Sequence, residues 1–271
     1  MAHTPEMERS PETLPANHGV PEMDAPNIAI LRGALVSGWQ DFKAAPVFGL
    51  LAALACILAG WMMVGVTYAS GHTFWLILMV FGFPLAAPFA AFGTYEVSRR
   101  RAAGQRVSVG AVLRVMWGER NRQLPWLCAI MIVVLLFWFF LGHMIFALFL
   151  GLAPMTNISS SLTVFLTPDG VMMLGMGTVV GAGFALFLFS MCVIGLPLLL
   201  DREVDYVTAM LTSVQTVMAH PWVMLPWAIF VAGVCLLALL PGFLGLLIVL
   251  PWLGHASWHV YAALLDGPAQ S

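Results

Sequence analysis

Six long apolar stretches run along the chain with short polar segments between them. They cover about Val47–Tyr68, Thr73–Tyr95, Leu124–Leu150, Val171–Leu200, Trp222–Leu240 and Gly242–Tyr261. Each matches or exceeds the ~20 residues that cross a hydrocarbon core of ~30 Å at 1.5 Å per residue. The last two abut at Pro241-Gly242. Proline cannot continue a helical hydrogen-bond ladder and glycine turns freely, so a tight hairpin is expected there. Read as one helix, residues 222–261 would be about 60 Å long, twice the bilayer. The pattern therefore predicts an all-α fold, a polytopic transmembrane helical bundle with six spans.

The shorter segments carry a pattern of their own. Ile28–Phe42, Val107–Glu119 and Val204–Met218 each precede a pair of spans. In the third, Val207, Met210, Leu211, Val214, Val217 and Met218 fall at helical spacing, with Thr208, Thr212, Ser213, Gln215 and Thr216 on the other face. That is an amphipathic helix suited to a membrane interface. Ser108 is placed to cap the second such helix. A proline opens the following span each time, at Pro46, Pro125 and Pro221. A later proline recurs in the second span of each pair, at Pro84, Pro197 and Pro251. The chain reads as three repeats, each an interfacial helix followed by a transmembrane hairpin. Three units in one orientation predict a compact bundle with pseudo-threefold symmetry.

Composition agrees: 61% of the 271 residues are hydrophobic and 9% charged, and the mean hydropathy is +0.93. A soluble domain carries roughly 25% charged residues. Placement of charge adds orientation. The eleven basic residues are Arg9, Arg32 and Lys43, then Arg99, Arg100, Arg101, Arg106, Arg114, Arg120 and Arg122, then Arg202. All precede the first span, follow the second or follow the fourth, whereas the alternate loops hold Asp169 alone. The positive-inside rule then puts both termini in the cytoplasm.

Residues 1–27 hold five prolines and five acids and read as a disordered cytoplasmic tail; 28–265 form the membrane domain and 266–271 a short cytoplasmic tail. No basic stripe points to nucleic acid. Cys56, Cys128, Cys192 and Cys235 lie in different apolar runs without a CxxC pair and read as buried apolar residues.

Candidate chemistry is sparse. His255 and His259 sit one helical turn apart, on one face, as two metal ligands would. Two ligands do not complete a site, and no metal or other cofactor is expected. Asp201, Arg202, Glu203 and Asp205 close the fourth span and form a candidate interfacial or docking cluster. Glu96 with Arg99 and Arg100 forms another at the end of the second. The alternative for both is a solvated interface, with Asp205 favouring a helix N-terminus. Gly175, Gly177, Gly181 and Gly183 lie in an apolar run and mark close helix packing, not a phosphate loop. No ionisable group lies deep in a span, as proton-coupled transport usually needs.

The fragment Phe137-Trp138-Phe139-Phe140-Leu141-Gly142-His143 looks like the surroundings of a metal-ligand histidine in haem-copper oxidases. The Pro-Glu-Val-Tyr continuation is absent and no adjacent histidine pair exists, so oxidase chemistry is rejected. Three longer landmarks carry a broader resemblance: Ala34–Phe42 leading to Pro46, Leu196–Asp205, and Val249–Tyr261. Together they resemble a bacterial family of six-helix integral membrane proteins without an assigned activity, whose members are often labelled cytochrome c oxidase subunit I-like. The resemblance covers roughly residues 28–265. It implies a location in the bacterial inner membrane and no catalytic residue.

Two functions follow as expectations. The first is a non-enzymatic accessory, assembly or regulatory component of a membrane complex, with the lipid bilayer and other membrane-protein subunits as partners. The second is a transporter or channel for a neutral or apolar solute, since prolines inside spans often accompany cavities.

Overall fold

The computed structural model describes residues 17–71, 77–151 and 162–265. The expected tail at 266–271 and residues 1–16 of the expected tail at 1–27 lie outside them. The regular structure of the described residues is helical apart from one pair of two-residue strands. In order come α1 (Ile28–Ala44), α2 (Pro46–Ser70), α3 (Ile77–Ala102), α4 (Val109–Glu119), α5 (Leu124–Leu150), α6 (Pro168–Cys192), α7 (Gly195–Asp201), α8 (Tyr206–Ala219), α9 (Pro221–Leu239) and α10 (Leu246–Leu265). A 3-10 turn, Leu162–Leu166, precedes α6.

Local chemistry sets many of these ends. Asn27, Ser108, Thr167 and Asp205 each accept a backbone N–H from the first turn of the helix that follows. Pro46, Pro125, Pro168 and Pro221 occupy first-turn positions, where a missing N–H costs no bond. Gly71, at φ 68°, closes α2 in the left-handed region.

Four helical stretches among the described residues are long and apolar enough to cross a membrane: Pro46–Ser70, Leu124–Leu150, Pro168–Asp201 and Pro221–Leu239. In the most apolar 18 residues of each, only 17–33% are buried within the protein, so those parts lie largely on the outside of the bundle. The inner positions belong to α3, α7 and α10. Residues 92–98, 193–200 and much of 251–261 are buried; most of their apolar side chains belong to one core cluster, while Val97 packs with Phe48 and Val112 in a smaller one.

Two elements show where proline and glycine shape the apolar stretches. The fourth apolar stretch is interrupted at Val193–Ile194, between α6 and α7. Pro197 causes this: its ring collides with the carbonyl of residue 193 and it has no N–H to offer. The break is repaired from outside, because the Ile194 N–H donates to Ser213 Oγ on α8 at 3.0 Å. The hairpin after α9 is also wider than Pro241-Gly242. Gly242 and Phe243 are both at positive φ, 62° and 69°, and α10 begins at Leu246. Trp61 Nε1 on α2 donates to Gly242 O at 2.9 Å and ties that turn down.

The three short amphipathic helices do not stand apart from the bundle. α4 packs on α3, α8 on α6, and α1 on α10. The last contact is the most extensive and joins the two ends of the described chain. Trp252 Nε1 donates to Leu35 O at 2.9 Å, and a Cβ on Gly38 would fall 2.6 Å from Ala256 N. Successive contacts advance in the same direction on both helices, so α1 and α10 run parallel. Upstream, the Asp24 N–H donates to Leu264 O at 2.8 Å. Strand Asn17–His18 pairs in parallel with Arg202–Glu203. The second part of the 1–27 segment thus lies against the bundle.

Candidate functional site

The polar groups of the inner helices converge at one end of the bundle. α1 buries Leu31, Ala34, Gly38, Asp41 and Phe42 on one face. A carboxylate therefore sits in a stripe that is otherwise apolar or small. Asp41 is 7% exposed and is held by side chains of α3 and α10. Arg101 Nε of α3 donates to Oδ1 at 2.7 Å, and His259 Nε2 of α10 lies 2.7 Å from Oδ2. Burial pushes the Asp41 carboxyl up, but hydrogen bonds from His259, Ser98 and Arg101 outweigh it and hold the group at about 2. A second link runs beside the first. Ser98 Oγ is 2.8 Å from His255 Nδ1, and His255 Nε2 is buried without a hydrogen-bond partner. Gly254 lets this part of α10 approach α3, since a Cβ there would meet Thr94 Oγ1 at 2.5 Å.

A charge cluster lies one face further round α3. Glu96 is fully buried between Arg99 at 2.6 Å and Arg100 at 2.5 Å. Glu119 at the end of α4 bonds Arg122 at 2.5 Å. Burial raises the Glu119 carboxyl, while the charges of Arg122 and Arg99 oppose the rise. A third tie joins α7 to α10, where Tyr261 OH donates to Asp201 Oδ2 at 2.9 Å and Arg202 Nε does so at 3.1 Å.

These positions sort the sequence candidates. His255 and His259 are on one side of α10, yet they serve different partners, Ser98 and Asp41. Among the described residues no three His, Cys, Asp or Glu side chains form a metal-binding group. Asp201 and Arg202 pair with each other and with Tyr261. Asp205 instead caps α8, accepting Thr208 N at 2.9 Å and Thr208 Oγ1 at 2.5 Å. Glu203 is exposed in the short strand. Glu96 and Arg99 pair as their spacing allows, but inside the protein. His143 bonds Phe139 O of its own helix at 2.7 Å, away from the other histidines. Asp41, Ser98, Arg101, Glu119 and Tyr261 were not singled out by sequence. Asp41 had a readable signal, an acid on the buried stripe of α1.

Of the recesses, two lie against α2 and α3. One, of about 240 Å³, lies between α2, α3, α9 and α10 and is walled largely by small or apolar residues, including Gly49, Ala53, Ala91, Thr94, Val231 and Gly254. The other, of about 540 Å³, lies where α1 passes into α2, against the α3–α4 connection.

Residues 76–201 match the model of a family described as predicted integral membrane protein, DUF2189. No curated protein and no solved structure matches the chain significantly. With its long apolar helices, the match makes this an integral membrane protein carrying a domain of unknown function.

Proposed function

We propose that this protein is a six-span bundle of the bacterial inner membrane that binds a neutral or apolar solute between its helices, for transport or presentation. The apolar recess between α2, α3, α9 and α10 carries this reading. Its small-residue wall leaves room that larger side chains would fill, and among its lining residues there is no charge. The ionisable groups lie beyond it, paired at the basic end. A solute held there would be recognised by shape and apolar contact, with the Thr94 and Ser257 hydroxyls as the polar features.

The six-span part of the proposal adds α3 and α10 to the four outer helices. They have 26 and 20 residues, about 39 and 30 Å. They carry more polar groups because their neighbours are other helices, not lipid. The three-unit arrangement draws support from the cyclic packing, α4 on α3, α8 on α6 and α1 on α10. The basic end then faces the cytoplasm with both termini.

The test is to purify the full chain in mild detergent and identify co-purifying small molecules by mass spectrometry. A neutral apolar compound should accompany the wild type and be lost from Ala91→Leu, which narrows the recess. Recovery of the same material from both, or of none from either, counts against the proposal. An accessory role in a membrane complex is the second reading. It is favoured by Trp117, 67% exposed, with the Arg120 guanidinium 3.9 Å over its ring at the basic end. A chain that always purifies without a stoichiometric partner would remove it.

A further inference from the structure

The larger recess differs in chemistry from the apolar one. It is lined by Phe48, Val97, Val107 and Val112 on its apolar side and by Arg101 and Gln105 on its polar side. At about 540 Å³ it falls in the range of small-molecule sites, ~300–1,000 Å³. Arg101 is not loose at its edge. Its Nε is held by Asp41, and Asp41 is held in turn by His259. That bond fixes the guanidinium while engaging Nε, so the two terminal amino groups remain for a ligand. Gln105 Oε1 is buried without a hydrogen-bond partner. A carboxamide can turn over, so the same site can present oxygen or NH₂, and an occupied recess would satisfy it.

Charge and position narrow the occupant. Arg101 is the charged residue of the lining, and the segments that supply the lining also carry Lys43 and Arg106, both exposed, against Asp41. A planar guanidinium suits a phosphate, to which it can donate two parallel bonds. The rim includes Val47, 56% exposed, and Val109, 37% exposed, giving an apolar side on which a hydrocarbon chain can rest. The recess also lies where the apolar part of α3 gives way to its arginines, the level of a bilayer surface. A ligand that fits is anionic at one end and apolar at the other. We propose that this recess seats the phosphate of an anionic phospholipid, bound by Arg101 and Gln105, with its chains leaving past Val47 and Val109.

The full-length chain, delipidated in neutral detergent, is titrated with phosphatidylglycerol and followed by native mass spectrometry. Glycerol 3-phosphate is added in a second arm as competitor. Three proteins are compared: wild type, Arg101→Gln, and the pair Gln105→Leu with Val109→Trp. The last leaves the Asp41 contact intact and keeps the test decisive if Arg101→Gln does not fold. Wild type should bind one phosphatidylglycerol about tenfold more tightly than either variant, the loss expected for charge-assisted bonds to one group. Glycerol 3-phosphate at equal concentration should not displace it. Equal lipid binding by all three proteins would overturn the site. Displacement by glycerol 3-phosphate would overturn the lipid as its source and reassign the recess to a soluble phosphate ester.

Discussion

Asp41 and His259 are 218 positions apart in the chain and 2.7 Å apart in space. Arg101 holds the other oxygen of the same carboxylate, so α1, α3 and α10 meet at one side chain. Asp41→Ala should destabilise the protein by about 2–4 kcal/mol, because a guanidinium and an imidazole then lose their acceptor. Denaturant unfolding in detergent at neutral pH reads this. A loss well under 1 kcal/mol would mean that the three helices are not joined there.

The same group predicts an acid response. Its carboxyl is lowered from 3.8 to about 2, so its contribution is complete above about pH 4 and disappears as pH falls through about 2. The size is about 2 kcal/mol. Wild type should lose this stability over that window, and Asp41→Asn should not. Parallel acid losses in both proteins would contradict the assignment.

Two glycines of α1 should respond in opposite directions. Gly38→Ala would put a Cβ 2.6 Å from the Ala256 backbone and force the helices apart, at about 1–3 kcal/mol. Gly33 has nothing within 4 Å of an added Cβ, so Gly33→Ala should stabilise the helix by about 0.5–1 kcal/mol. Thermal unfolding of the pair compares them in one helix.

Ser213 is fully buried on α8 and repairs the helix break upstream of Pro197. Ser213→Ala should leave the Ile194 N–H without a partner and cost about 1–3 kcal/mol. A change within a few tenths of a kcal/mol would show that water or a shifted backbone takes over.

Asp201 and Asp205 are close in sequence but should behave differently. Asp205→Asn keeps a good N-cap on α8 and should change thermal stability little. Asp201→Asn weakens the bonds to Arg202 and Tyr261 and should loosen α7 from α10, visible as faster amide exchange at 195–201. Equal behaviour of the two would remove the distinction.

Orientation can be read with reporter fusions. Fusions after Arg101, after Asp205 and at Ser271 should report cytoplasm, and one within 156–167 periplasm. Any one on the opposite side would break the six-span arrangement.

The helices were legible because burial in lipid and burial in protein both demand apolar runs, and because caps such as Ser108 and Asp205 act within four residues. The break before α7 was signalled by Pro197, although Ser213, which compensates it, was not. The partners of the polar groups were illegible for a different reason. Nothing local to Asp41 names His259, and the i, i+4 spacing of His255 and His259 is equally good for a shared ligand or for two separate hydrogen bonds. Glu96 followed the familiar pairing with Arg99 and Arg100, but its complete burial depends on helices distant in sequence packing around α3.

The seam between α1 and α10 has a consequence for biosynthesis. During translation α1 emerges first and α10 after every other helix described here. Until the ribosome has delivered α10, Asp41 lacks His259, and Gly38 presents its face to no partner. The earliest helix therefore stays unfinished longest, a quality-control vulnerability that a shortened nascent chain would carry permanently.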